Sequence, residues 1–269
     1  MATALSVLLA TAAAALAPLD PRGAPTSTIA VTRAHDVRIA VPEDDAIMEA
    51  FMASAHAAAL AAGEGRYDEV MEEYCTAQPQ QYWAQLWPSS YAMSRWMLDE
   101  PTLVAGKTVL ELGCGLGLSA VCAALAGAER VHATDREEPA LHFAAHNAAT
   151  NGVGDRVSTG QLDWAEASTA ELDAPYDVVL AADVIYDESA AALLHGLLPT
   201  LVKPHGGVLL LADNADRPYK AERRTALLDL LEADGFACVG EQRAVAVELE
   251  TRLGRDFEIV LAAMERSES

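Results

Sequence analysis

Residues 109–117 have the sequence Val109-Leu110-Glu111-Leu112-Gly113-Cys114-Gly115-Leu116-Gly117. The first part is apolar except for Glu111, which is typical of a strand in a sheet that is covered on both faces. The three glycines let the backbone turn sharply and bring bare N–H groups close to a ligand. Because residues 118–125 have helical character, the stretch predicts a strand, a glycine loop and a helix in succession.

A second apolar run, Val131-His132-Ala133-Thr134-Asp135, ends in an acid that a parallel second strand would present to a ribose diol. The glycine spacing is Gly-x-Gly-x-Gly, not the Gly-x-Gly-x-x-Gly of dinucleotide-binding domains. This version, with Glu111 before it, resembles motif I of class I methyltransferases, which use S-adenosylmethionine. A sulfonium and an ammonium group favour a nearby acid, whereas a pyrophosphate does not. A tight turn that binds no ligand is the alternative.

The composition limits the partners that we expect. The 269 residues include 40 acids and 18 bases, for a net charge of -22, which disfavours nucleic acid and anionic membranes. Such a surface attracts a basic protein, although acidity also serves solubility alone. The cysteines form no Cys-x-x-Cys pair and the histidines no ligand pattern, so we predict no disulfide framework and no metal site. His142 and His195 fall within helical patterns and are expected to be ordinary residues.

The N-terminal part divides into two segments. Residues 1–17 are nearly all apolar and end in Ala15-Leu16-Ala17, which indicates a targeting peptide or, equally, an alanine-rich tail. Residues 18–80 are predicted to be a linker, with one short strand near residues 37–41, and a helical extension near residues 43–60. We expect a cytoplasmic or organellar protein that is neither secreted nor stably inserted in a membrane. The sequence does not indicate the oligomeric state.

Strands and helices alternate in the rest of the chain, residues 81–269. The pattern predicts an α/β domain with a mostly parallel sheet and helices on both faces, ending in an antiparallel hairpin. The predicted strands are Thr108–Leu112, Val131–Asp135, Val157–Gln161, Val178–Ala182, Val208–Ala212, Phe236–Val239 and Phe257–Ala262. The predicted helices are Ser89–Leu98, Gly117–Ala126, Pro139–Thr150, Ala190–Leu201 and Tyr219–Ala233.

Two further motifs follow predicted strands. Asp163 and Trp164 come after the third strand, where a carboxylate and an indole can bind an adenine amino group and ring. Asp183 and Tyr186 come after the fourth strand, at the edge where ligands bind in open α/β sheets. Asp183 could instead cap the next helix, and Trp83 and Trp96 are expected to be packing residues.

Together the motifs resemble the seven-β-strand methyltransferases of methyltransferase-like family 16, which contains many protein lysine methyltransferases. The likeness covers residues 82–262 and implies a Rossmann-like, doubly wound, seven-stranded sheet. It implies cofactor contacts at Trp87, Gly113, Cys114, Gly115, Asp135, Trp164 and Ala182, beside Glu111, Gly117 and Asp163. The family's Asp-x-x-Tyr signature matches Asp183 and Tyr186. The stretch from Asp213 to Arg217 has one residue more than in many relatives, which makes the role of Arg217 less secure.

The resemblance predicts an S-adenosylmethionine-dependent N-methyltransferase that acts on protein lysines. In that chemistry Asp183 would orient the amine and Tyr186 would offer its ring face to the cation. Three alternatives are a small-molecule N-methyltransferase for an amine or a pyridine-like acceptor, an NAD-dependent oxidoreductase, and a non-catalytic scaffold.

Overall fold

A computed structural model describes residues 19–77, 82–166, 172–187, 189–216, 218–247 and 257–267. The predicted targeting segment 1–17 and Arg217 lie outside these residues. The strands are β1 (Thr26–Thr32), β2 (His35–Ala40), β3 (Thr108–Leu112), β4 (Arg130–Asp135), β5 (Val157–Gln161), β6 (Val178–Ala182), β7 (Val208–Asn214), β8 (Phe236–Cys238), β9 (Arg243–Val247) and β10 (Phe257–Arg266). The longer helices are α1 (Asp44–Ala62), α2 (Tyr67–Ala77), α3 (Pro88–Asp99), α4 (Leu118–Leu125), α5 (Glu138–Thr150), α6 (Ala190–Leu201) and α7 (Pro218–Ala233).

The central sheet has the strand order β5-β4-β3-β6-β7-β10-β8, with β9 also paired to β10. Strands β3 to β7 are parallel, whereas β10 runs antiparallel to β7, β8 and β9. The order reverses between β3 and β6, and this reversal is where open α/β sheets bind ligands. The register pairs Leu112 with Thr134 and Ala181, so the carboxyl ends of the central strands meet at one edge.

Side chains alternate between two apolar layers along each central strand, as the two-residue period of a strand requires. On β3, Val109 packs in the layer under α3, α4 and α5, whereas Leu110 and Leu112 pack under α6 and α7. Glu111 therefore points into the first layer, where it is 2% exposed. The predicted arrangement of helices on both faces of a mostly parallel sheet is confirmed.

The segment expected to be a linker with one strand contains a β-hairpin, in which β1 and β2 pair antiparallel. Val31, Val37 and Ile39 of the hairpin are fully buried in the layer under α3, α4 and α5. Only every second residue of each hairpin strand faces this apolar layer. The residues between them face away from it, so the hairpin as a whole has a polar composition. The following helices α1 and α2 pack on each other around Ala55, Ala59 and Val70.

At the C-terminal end of the sheet, the structure has the three strands β8, β9 and β10 where a two-stranded hairpin was predicted. The long strand β10 pairs with β9 through residues 257–261 and with β8 through residues 264–266. The two short strands β8 and β9 therefore pair with different parts of the same edge of β10, the edge opposite β7. Two short strands thus take the place that one strand would occupy at this end of the sheet. The strand β9 was not predicted, because residues 243–247 are mostly exposed and show no clear apolar face.

Candidate functional site

The glycine loop lies at the carboxyl end of β3. All three glycines have positive φ angles, 67° at Gly113, 50° at Gly115 and 78° at Gly117. A Cβ atom on Gly117 would lie 2.8 Å from the Cβ of Ala144, so glycine is required there for close packing of the loop on α5. A Cβ on Gly113 would lie 3.2 Å from Val184. The loop is therefore tightly held from both sides of the sheet.

Asp135 lies at the end of β4 and faces this loop. Its Oδ2 accepts a hydrogen bond from the N–H of Gly115 at 2.9 Å, and its Oδ1 accepts one from the N–H of Glu137 at 3.0 Å. Burial raises the pKa of Asp135. Each carboxylate oxygen has a second lone pair, so Asp135 can still accept further hydrogen bonds, and its contact with a diol stays a prediction.

Glu111 and Cys114, two further predicted cofactor residues, are buried. Burial raises the pKa of Glu111 to about 8, and its Oε2 has no hydrogen-bond partner within the part of the chain that the structure describes. The N–H of Cys114 donates to the carbonyl of Thr134 at 2.9 Å, and burial raises the pKa of the Cys114 thiol. The Cys114 hydrogen bond joins the loop to β4. Direct contact of Glu111 or Cys114 with a cofactor stays a prediction.

The residues predicted to bind adenine follow β5. Trp164 is half-buried, and its Cζ2 lies 3.7 Å from the position of a Cβ on Gly113. Asp163 is exposed, and its Oδ1 accepts a hydrogen bond from the N–H of Ala165 at 2.9 Å. The structure thus brings Trp164 to the glycine loop and leaves Asp163 at the rim.

Asp183 directly follows Ala182, the last residue of β6. Its φ of 59° is in the left-handed region, which non-glycine residues seldom adopt. Its N–H donates to the carbonyl of Ala212 at 2.9 Å, and its Oδ1 accepts a hydrogen bond from Nζ of Lys220. The side chain is 7% exposed. Such backbone strain is often found at functional sites, and here the surrounding contacts stabilise it.

A buried ion cluster surrounds Asp183. Nζ of Lys220 lies 3.3 Å from Oδ1 of Asp213, and Nη1 of Arg224 lies 3.1 Å from Oδ2 of the same residue. The side chains of Lys220, Asp213 and Arg224 are 5%, 0% and 10% exposed. Two carboxylates and two cations therefore balance in a site largely closed to water.

Partly exposed aromatic rings lie on the outer side of Asp183. The ring of Tyr186 is 5.4 Å from that of Tyr82, which in turn makes an edge contact with Trp87 at 5.7 Å. The indole N–H of Trp87 donates to the carbonyl of Tyr82 at 2.8 Å. Burial raises the pKa of Tyr186, a shift that Arg136 opposes and Asp135 adds to, and both of these residues lie at the end of β4.

The sequence did not predict three residues that the structure places in the site. Asn147 on α5 donates to the carbonyl of Leu116 at 2.9 Å and accepts from the N–H of Ala40 at 2.7 Å, so it joins the glycine loop to the hairpin. Lys220 and Arg224 complete the ion cluster. The sequence contains a signal for these two residues, because they share a helix face with Leu227 and Leu231, which are buried. Charges on a buried face imply a buried acid as partner.

Other predicted residues take the ordinary roles expected for them. Trp83 and Trp96 are 7% and 8% exposed and pack in the core layer under α3. His195 pairs with Asp234 at 2.9 Å on the surface. Within the described ranges no group of three or more His, Cys, Asp or Glu side chains could hold a metal ion. None of the helices there is long and apolar enough to cross a membrane.

The arrangement suits a nucleoside that carries positive charge. Bare backbone at Gly113 and Gly115, an indole beside it and an acceptor at Asp135 meet the needs of a nucleoside that is linked to an amino acid, such as S-adenosylmethionine. Glu111 is protonated below about pH 8 and Asp183 pairs with Lys220, so the carboxyl group of Asp135 is the acidic group at the loop that can attract a cation. The residues present therefore fit this cofactor, which the glycine spacing predicted.

Comparison with known proteins agrees with this geometry. A family model described as lysine methyltransferase matches residues 76–228, more than half of the chain. The chain belongs to this lysine methyltransferase family. The membership of this family that the motifs predicted is confirmed.

Two curated relatives place the chain within the family. The electron transfer flavoprotein beta subunit lysine methyltransferase of Danio rerio is 36% identical over 141 residues, 50% of this chain and 50% of the relative. The protein N-lysine methyltransferase METTL21A of Danio rerio is 36% identical over 118 residues, 42% of this chain and 53% of the relative. The chain thus spans about half the length of the curated relatives that it matches.

A solved structure agrees with the fold. The protein PH1948 of Pyrococcus horikoshii superposes with a TM-score of 0.52 and 15% identity, over 66% of this chain and 81% of that protein. At this identity the likeness shows the fold alone.

Proposed function

We propose that this protein transfers a methyl group from S-adenosylmethionine to a lysine side chain of a protein substrate. The observation that carries the proposal is the buried carboxylate of Asp183, at the carboxyl end of β6 and beside the glycine loop. It lies at the reversal of strand order, where this fold binds its ligands. Membership of the lysine methyltransferase family supports lysine as the acceptor.

The predicted site residues divide into two groups. Trp87, Glu111, Gly113, Cys114, Gly115, Gly117, Asp135, Asp163, Trp164 and Ala182 are proposed to form the cofactor side. Asp183 and Tyr186 are proposed to form the acceptor side, where the partly exposed rings of Tyr82 and Tyr186 contact each other.

The chemistry needs an acceptor amine that has lost its proton. When bound, S-adenosylmethionine supplies a methyl group on a sulfonium, which reacts with such an amine. Asp183 can accept a hydrogen bond from the amine and so orient its lone pair, and orientation supplies much of the rate gain in a displacement of this kind. The ring face of Tyr186 can stabilise the positive charge of the product by a cation–π contact.

The names of the relatives and the net charge of the protein narrow the choice of protein substrates to test. Several relatives are named as lysine methyltransferases of the electron transfer flavoprotein beta subunit, so we propose the corresponding subunit as the first substrate to test. A basic protein surface would be attracted by the net charge of -22, and this attraction should weaken as salt increases. We also propose that residues 18–80 form an extension to a methyltransferase domain at 81–269, and that residues 1–17 direct the protein to an organelle.

The test is incubation of the protein with labelled S-adenosylmethionine and purified electron transfer flavoprotein beta subunit, and in parallel with a cell extract. Mass spectrometry should locate added methyl groups on lysine residues. The variant Asp183→Ala should bind the cofactor with an affinity close to that of the wild type and lose at least ~100-fold in transfer rate. Asp229→Ala, at an exposed acid on α7, is the matched control and should keep its activity.

Two results would contradict the proposal. Label found only on small molecules of the extract would favour the small-molecule methyltransferase. Unchanged transfer by Asp183→Ala would remove this carboxylate from the chemistry, whatever the substrate.

A further inference from the structure

Lys220 is the cation that contacts Asp183. Its Nζ donates to Oδ1 of Asp183 and lies 3.3 Å from Oδ1 of Asp213, with the lysine side chain only 5% exposed. The ammonium therefore forms ion pairs with two carboxylates. Lys220 is therefore a fixed positive charge within contact distance of the carboxylate that the proposed function assigns to the acceptor.

Helix α7 holds the Asp183 loop at two points. Lys220 binds the side chain of Asp183 from the first turn of the helix, and Nη1 of Arg223 donates to the backbone carbonyl of Tyr186 at 2.7 Å. One turn after Lys220, Arg224 neutralises the second carboxylate, Asp213. The helix thus fixes both proposed acceptor-side residues relative to the sheet.

The charges around Asp183 come from two elements. Lys220 and Arg224 come from α7, and Asp213 comes from β7. Without Lys220, Arg224 would be the remaining cation of this cluster in the part of the chain that the structure describes. Two close carboxylates with one cation favour uptake of a proton by one of them.

Resting on the proposed function, we propose that Lys220 is a positioning residue for methyl transfer. Its ammonium pairs with the carboxylate of Asp183 and holds it in a single orientation, so that this group can accept a hydrogen bond from the incoming amine. Lys220 does not itself contact the reacting atoms in this role.

The test compares Lys220→Met with Lys220→Arg across pH 5–9. In Lys220→Met we expect the acid limb of kcat/KM to move up by about one pH unit or more, which is a tenfold or larger loss of kcat/KM on that limb that recovers at higher pH. The affinity for S-adenosylmethionine, measured by calorimetry, should change less than about threefold. Lys220→Arg keeps the charge and should retain the wild-type pH profile.

Lys203→Met is the matched control. Nζ of Lys203 pairs with Asp177 at 2.5 Å, near the amino end of β6 and thus at the opposite edge of the sheet. Its removal breaks a lysine–aspartate pair without touching the Asp183 loop, so the pH profile should stay that of the wild type.

A second measurement needs neither methyl donor nor acceptor. In protein labelled with 13C at the aspartate carboxyl carbons, the Asp183 signal, assigned with Asp183→Asn, reports its ionisation. Its titration midpoint should lie at higher pH in Lys220→Met than in the wild type. An unchanged midpoint together with an unchanged pH profile would overturn the proposal.

The two measurements separate the proposals. If the wild type methylates no lysine, the proposed function fails, but the carboxyl signal still tests Lys220. If Lys220→Met does not fold, Lys220→Arg decides. A shifted pH profile in this charge-preserving variant would overturn the role given to the charge.

Discussion

The N–H of Gly115 donates to Oδ2 of Asp135 at 2.9 Å, which joins the glycine loop to the end of the neighbouring strand. The second oxygen of Asp135 binds the N–H of Glu137, just before α5. The carboxylate is thus fixed in place by two backbone groups. A cofactor would meet an acceptor that is already oriented, which lowers the entropic cost of binding.

Asp135→Asn tests this arrangement. The amide nitrogen would face a backbone N–H that now has no acceptor, so the affinity for S-adenosylmethionine should fall roughly 10- to 100-fold. Because burial raises the pKa of Asp135, the wild-type affinity should decline as the pH falls into the acidic range, and the variant should lack this dependence. Calorimetry at several pH values measures both effects. Asp155→Asn, at an exposed position, should behave as the wild type.

Gly117→Ala should lower both stability and cofactor affinity. The φ of 78° costs an alanine about 1 kcal/mol, and the contact of its Cβ with Ala144 at 2.8 Å adds roughly 1–3 kcal/mol. Gly106→Ala is the control, because Gly106 has a φ of 71° but no atom within 4 Å of its Cβ position. Urea denaturation should show the larger loss for Gly117→Ala. Equal losses in the two variants would mean that packing on α5 does not constrain the loop.

Asn147→Ala should uncouple the hairpin from the glycine loop. The change leaves the carbonyl of Leu116 and the N–H of Ala40 without this partner, at an expected cost of about 2–4 kcal/mol. Asn151→Ala removes a similar bridge to Arg38 at a half-buried position and should cost less, about 1 kcal/mol. Chemical denaturation gives the free energies of unfolding, and proteolysis near residues 26–40 reports release of the hairpin.

Glu111→Gln should stabilise the protein in a pH-dependent manner. Burial raises the pKa of Glu111 to about 8 from an ordinary value of 4.5, so the folded state binds a proton that the unfolded state releases. The wild type therefore loses stability as the pH rises from about 4.5 to 8, and the variant is spared this loss. The advantage of Glu111→Gln should reach about 4 kcal/mol near pH 8. A difference in melting temperature that does not vary with pH would contradict the shifted titration.

Much of the fold could be predicted because the central strands are apolar on both faces and end at glycine or acidic residues. The bounds of β3, β5 and β6 agree with those predicted. The strand predicted near residues 37–41 is present as β2, whereas its partner β1 and the strand β9 were missed, since a surface strand shows only every second residue to the core. Hydrophobic patterning carries little signal for such elements.

In the candidate site, too, some residues could be predicted from local sequence motifs and others could not. Residues carried by the motifs, such as Asp135, Trp164 and Asp183, lie at the predicted edge of the sheet. Asn147 and Lys220 contact residues that lie 31 and 37 positions away from them in the sequence. Local patterns do not reveal partners at that distance. Only the packing of α5 and α7 against the sheet brings them to the loops.

The place of β10 in the sheet has a consequence for biosynthesis. Its residues 259–265 pair with β7, so strand β7 has a bare hydrogen-bonding edge until this late segment has left the ribosome. Most of β7 is apolar, and an unpaired apolar edge invites association with other chains. The parallel half of the sheet can form during translation, whereas the finished sheet must wait. Chaperone demand should therefore peak when synthesis has passed β7 and has not yet reached residue 266.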